Sequence, residues 1–179
     1  MNDKELSELL DSWENIEIIA RQLSQNPKDF DVLMNIALSH PEQRSWRAAY
    51  LADKIHDDYP ECLQPYLHAI IKKLETENNA SKKRHWLKLI SMNKIEETYM
   101  SFLFDYCIET FTSGKEAVAV RVHAMQILYN ISETEPDFKP EVLEIIKNEM
   151  EQHPSAGIRS RGRKLTQKLS EQIQQKHIR

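Results

Sequence analysis

Apolar residues recur three and four positions apart along almost the whole chain. Leu6, Leu9, Leu10, Trp13, Ile16, Ile19, Ala20 and Leu23 form the first such row and predict an amphipathic helix over residues 3–25. Pro27 ends it. Later breaks fall at His40-Pro41, Asp58-Tyr59-Pro60, Asn78-Asn79, Met92-Asn93, Ser113-Gly114, Glu135-Pro136 and His153-Pro154. Between them lie periodic segments over 28–39, 42–57, 61–76, 80–91, 95–112, 115–132, 138–152 and 155–175. With the first, this predicts nine helices joined by short connections. No strand pattern survives, and no low-complexity linker divides residues 1–179, which predicts a single domain.

One segment repeats. In AVRVHAMQILYNISETEP, Arg121 is followed by Ala124, Ile127, Leu128 and Ile131, and Pro136 lies fifteen residues on. Thirty-eight residues later, Arg159 precedes Gly162, Leu165, Thr166 and Leu169. Seventy-six residues earlier, Ser45 precedes Ala48, Leu51, Ala52 and Ile55, with Pro60 again fifteen on. The copy between starts at Lys83, with Trp86, Leu89 and Ile90. A fixed period of this length, each unit two helices, predicts an all-α array of about four helical hairpins over 28–57, 61–91, 95–132 and 138–176, with residues 3–25 capping it. Counting from the first residue of each copy, position +4 is Ala49, Leu87, Met125 and then Arg163. The apolar three suit packing on a following copy, and Arg163 suits a terminal one.

The pattern resembles the HEAT/armadillo-like class. The second helix of a HEAT repeat reads apolar-Arg, a small residue three on, then paired apolars, as do Val120, Arg121, Ala124, Ile127 and Leu128. Ile158, Arg159, Gly162 and Leu165 follow it in part, and Ser45, Lys83 and Trp86 depart from it. The resemblance covers roughly 28–176. It implies a right-handed α-α superhelix that binds other molecules on its concave face, with Arg121 and Arg159 structural, hydrogen-bonded to a neighbouring turn.

At 100° per residue, positions +1, +2, +5, +8 and +9 lie opposite the apolar row. They hold Trp46, Arg47, Tyr50, Asp53 and Lys54; Arg84, His85, Lys88, Ser91 and Met92; Val122, His123, Gln126, Tyr129 and Asn130; and Ser160, Arg161, Lys164, Gln167 and Lys168. Seven Lys or Arg against one acid give this face a net +6, which leaves −10 on the rest of a chain of net −4. Aromatic anchors beside Arg are what protein-binding hot spots favour. The candidate binding residues are therefore Trp46, Arg47, Tyr50, Lys54, Arg84, His85, Lys88, His123, Tyr129, Arg161, Lys164 and Lys168. His85 and His123 are expected to add positive charge below neutral pH.

Enzyme chemistry finds little support. Three glycines leave no phosphate loop, no Gly-x-Ser-x-Gly occurs, and the histidines make no metal-ligand spacing. No catalytic residue, metal or cofactor is expected. The acidic N-terminus predicts neither a signal peptide nor a membrane anchor, and isolated Cys62 and Cys107 suit a reducing compartment, so a cytoplasmic protein is expected. The expected function is a non-catalytic scaffold or adaptor that binds an acidic peptide or protein. Nucleic acid on the same face is the alternative, and an all-α enzyme without a recognisable motif is the third.

Overall fold

The computed structural model describes residues 1–39 and 43–178, the side chains of 43 and 176–178 excepted. Among the described residues there are ten α-helices, two 3₁₀ stretches and no strand. The helices are α1 (Asp3–Ser12), α2 (Ile16–Ser24), α3 (Pro27–Ser39), α4 (Gln43–Asp58), α5 (Leu67–Lys73), α6 (Ala80–Met92), α7 (Glu97–Thr112), α8 (Val118–Thr134), α9 (Lys139–Gln152) and α10 (Ala156–Ile178). The expected break at His40-Pro41 lies outside the described residues.

The second helix of each repeat begins at residue 43, 80, 118 or 156, which keeps the 38-residue period almost unchanged. Position +3 (Ala48, Trp86, Ala124, Gly162) and position +6 (Leu51, Leu89, Ile127, Leu165) are buried in every copy. Position +4 is fully buried at Ala49, Leu87 and Met125 and exposed at Arg163, in the last of the four copies described.

The chain divides into two compact units, Met1–Ile90 and Ser91–Arg179. In the first, α3 runs along α4, and both α1 and α2 pack on that hairpin. A capping box starts α1: the Asn2 side chain accepts from the Glu5 N–H and Glu5 accepts from the Asn2 N–H. The single helix expected over 3–25 is in fact two. Trp13 and Asn15 adopt φ of 55° and 52°, and Trp13 closes α1 with its N–H on the Leu9 carbonyl. Asn tolerates this left-handed backbone, but for Trp it is strained. Packing offsets the strain, because the Trp13 ring meets Trp46 and Tyr50 at 5.7 and 5.4 Å between centroids.

The helix expected over 61–76 is also altered. Residues Pro60–Tyr66 form a 3₁₀ stretch and only Leu67–Lys73 is α-helical. Pro65 lacks an N–H and its ring would strike the carbonyl four residues back, so an α-helix cannot run through it. α5 is thus too short to lie along α6 as α3 lies along α4.

In the second unit α7 runs along α8 and α9 along α10, and α8 touches both α9 and α10. Enclosed on three sides, α8 buries nine of its residues, Val120 to Ser132. α9 and α10 approach closely at Gly162, where a Cβ would lie 2.5 Å from the Met150 sulfur. α10 starts at a Ser155 hydroxyl that accepts the Ile158 N–H.

Candidate functional site: the exposed faces of the second helices

Residues 1–90 place Trp46, Arg47, Tyr50 and Lys54 on α4 and Arg84, His85 and Lys88 on α6. Most of these serve the fold. Arg47 donates through Nη1 to the carbonyls of Leu10 and Asp11, at 2.8 and 3.0 Å, and so caps the C-terminal end of α1. Its guanidinium also lies over the Trp13 and Trp46 rings, 5.2 and 5.7 Å from their centroids. Trp46 and Tyr50 are half-buried in this cluster, against Trp13.

His85 is 2% exposed and does not present to solvent. Its Nδ1 lies 2.7 Å from Asp53 Oδ2, and Arg84 donates to its Nε2 at 3.3 Å. Arg has no acceptor, so Nε2 carries the lone pair and Nδ1 the proton. The expectation of a ligand-facing histidine at 85 is corrected: the ring is an internal bridge, with Tyr50 edge-on at 5.6 Å. Lys88 is likewise engaged, 2.6 Å from Asp53 and 3.0 Å from Asp57. Burial alone would push the Asp53 carboxyl up, but hydrogen bonds from His85 and Lys88, with the Lys88 charge, hold it below the usual carboxylate value. For Lys88, burial opposes the charged form, and hydrogen bonds to Asp53 and Asp57 outweigh it and raise the ammonium. Lys54 and Arg84 remain exposed. Tyr50 and Lys54 line a cleft of about 400 Å³ between α2 and α4, together with Glu17, Arg21, Asp58 and Tyr59.

Residues 91–179 hold the remaining candidates. Tyr129 is 8% exposed, so it is mainly packed rather than presented. Burial raises its phenol, and the Glu133 charge adds to this. His123 is half-buried. Arg161, Lys164 and Lys168 on α10 are exposed. Arg161 donates to the Gln126 carbonyl oxygen at 2.5 Å, and Gln126 donates to Asn130. Lys168 Nζ lies 5.9 Å from the Tyr129 ring centroid. Neither these three nor Arg159 and Arg163 form an ion pair among the described residues, and no acid occurs between Ala156 and Ser170.

Arg121 is structural, as expected. It is buried, donates from Nε to the Phe111 carbonyl at 2.7 Å, and pairs with Glu149 at 2.5 Å. Glu149 also holds His153 Nδ1 at 2.9 Å. Arg159, expected to act alike, is exposed and makes no such bond. Sequence reasoning missed Trp13 and Asp57 as partners of this face. An available signal was the spacing of Asp53 from His85 and Lys88, 32 and 35 residues, slightly under one repeat.

Among the described residues no group of three or more His, Cys, Asp or Glu could hold a metal ion, and no helix is long and apolar enough to cross a membrane. Successive helical hairpins at a 38-residue period, with a second-helix row buried in register, define an α-solenoid repeat protein. The HEAT repeat domain family matches residues 2–169, nearly the whole chain, and the protein belongs to it. No curated protein and no solved structure matches it.

Proposed function

We propose that this HEAT repeat protein is a non-catalytic cytoplasmic adaptor that binds an acidic peptide or protein along the basic faces of its second helices, chiefly α10. The observation that carries this is the row Arg161, Lys164 and Lys168, which is exposed and unmatched by any carboxylate among the described residues. Lys164 and Lys168 are like charges one turn apart, a mildly unfavourable arrangement on a helix. An acidic ligand supplies the missing counter-charge and, in doing so, accelerates its own encounter. Lys54 and Arg84 extend the same chemistry in residues 1–90. Arg47, His85 and Lys88 do not, since their donors are committed internally.

The test is fluorescence anisotropy of a labelled octaglutamate peptide against the wild type and Arg161→Glu/Lys164→Glu/Lys168→Glu, at low and high salt. Wild-type binding weakens with salt, and the triple variant binds at least ~10-fold more weakly with unchanged helicity. Equal binding by the triple variant refutes the proposal. A single-stranded oligonucleotide bound more tightly than the peptide, with a steep salt dependence, transfers the face to nucleic acid.

A further inference from the structure

α10 carries a second row of cations on a different side. Arg161, Lys168 and Gln172 reach α8 residues, Gly157 lies against Val118 and Val122 of α8, and Gly162 presses on α9. At 100° per residue, Arg159 and Arg163 then point to the side of α10 opposite α8. In the three earlier copies the position of Arg163 is filled by Ala49, Leu87 and Met125, each fully buried. Arg163 therefore sits on the surface where the register places a neighbouring helix, yet it is exposed. Arg159 and Arg163 are one turn apart, about 6 Å along the axis, and neither has an acid within reach on α10.

A surface of opposite sign exists on the first two helices. Residues 3–17 hold six acids and one lysine. Asp11 is taken by Arg44, and Glu5 accepts the Asn2 N–H and forms no ion pair among the described residues. Asp3, Glu8, Glu14 and Glu17 are exposed and form no ion pair among the described residues. Glu5, Glu8, Leu9 and Ser12 of α1 line an open groove of about 600 Å³ with Met1 and Gln22. Ile18 on α2, next to Glu17 in the chain, is 67% exposed.

We propose that the partner of each of these two surfaces is the other one, on a second copy of this chain. Arg159 and Arg163 of one copy enter the α1–α2 groove of the next and meet Glu8 and its neighbours. The contact is heterologous, head to tail, so each associated pair keeps one donor and one acceptor surface free and the association can repeat. It leaves Arg161, Lys164 and Lys168 unused, so it is independent of the acidic-ligand reading above. Because its attraction comes from exposed charges, salt dissolves it.

Sedimentation velocity of the full chain tests this, at rising protein concentration in low and in high salt, for the wild type, Glu8→Arg and Arg159→Glu/Arg163→Glu. In low salt the wild-type sedimentation coefficient rises with concentration past that of a dimer, and in high salt it returns to the monomer value. Each variant alone stays monomeric. An equimolar mixture of the two variants associates again, because each offers the surface that matches the other's reversed charges. That rescue also shows that both variants are folded. A wild type that remains monomeric in low salt overturns the proposal, as does association that persists in either variant alone or a mixture that fails to associate.

Discussion

Arg121 and Arg159 occupy the same repeat position, yet the structure assigns them opposite importance. Replacing each by Met removes the charge and keeps most of the aliphatic stem. At 121 the change takes two donors from a buried site: the Phe111 carbonyl loses its 2.7 Å partner and Glu149, 6% exposed, loses its 2.5 Å guanidinium. Removing one member of a buried pair costs about 3–5 kcal/mol, most of it the penalty of the charge left behind. At 159 the side chain is exposed and unbonded, so the expected change is within about 0.5 kcal/mol. For a chain of this size, 1 kcal/mol moves the melting temperature by roughly 2–4 °C, so Arg121→Met lowers it by roughly 6–20 °C and Arg159→Met by no more than about 2 °C. Urea and thermal unfolding followed by circular dichroism measure both. A second arm uses Arg121→Met/Glu149→Leu, which removes the buried carboxylate that has lost its guanidinium but keeps His153 as a partner, and recovers much of the loss. Equal midpoints for the two single variants refute the argument that the ladder arginine is held at 121 and released at 159.

Two further outcomes follow from the packing. Gly162→Ala improves helix propensity by about 1 kcal/mol but places a Cβ 2.5 Å from the Met150 sulfur, so it destabilises the wild type and stabilises a Met150→Ala background; the same sign in both backgrounds shows that α9 and α10 are less closely packed than described. Asp53 has a lowered folded value, so its contribution is present above the unfolded carboxylate pKa and is lost as pH falls through the folded one; wild-type stability therefore drops more steeply below about pH 4 than that of Asp53→Asn, and parallel pH profiles by chemical denaturation contradict the His85–Asp53–Lys88 network.

Much of the fold was legible because burial in a repeat protein is periodic at two scales. The 3.6-residue period marks the helices, and the 38-residue period shows which apolar residues share a column, so Ala48, Ala124 and Gly162 align from the sequence alone. What escaped was local. Apolar residues at 9, 10, 13, 16, 19 and 20 run through the α1–α2 break without interruption, and no Gly or Pro marks it. The left-handed turn at Trp13 is imposed from outside, by aromatic and guanidinium contacts on α4 that sequence spacing does not display. The 3₁₀ stretch before α5 had a signal, Pro65, overridden by the apolar spacing around it.

The face was harder to read, and the reason is geometric. A column sum treats every cation in a row as free, but in a stacked array the side chain at +2 or +5 can reach a residue of the preceding copy. Arg47 donates to the α1 carbonyls, His85 and Lys88 to Asp53, and Arg161 to Gln126. The partner is an acid or a carbonyl in the first two cases and a neutral amide in the last. Charge is thus consumed where the preceding element supplies an acceptor of full or partial negative charge, and survives where it does not. The same register explains the exposure gradient: Asp53 at +8 is buried under the copy that follows it, whereas its counterpart Gln167 is exposed, since no further copy follows α10 among the described residues. The unneutralised charge of the basic face therefore collects on α10, and a net +6 spread over four copies overstates what α4 and α6 can offer a ligand while locating correctly the helix that offers most.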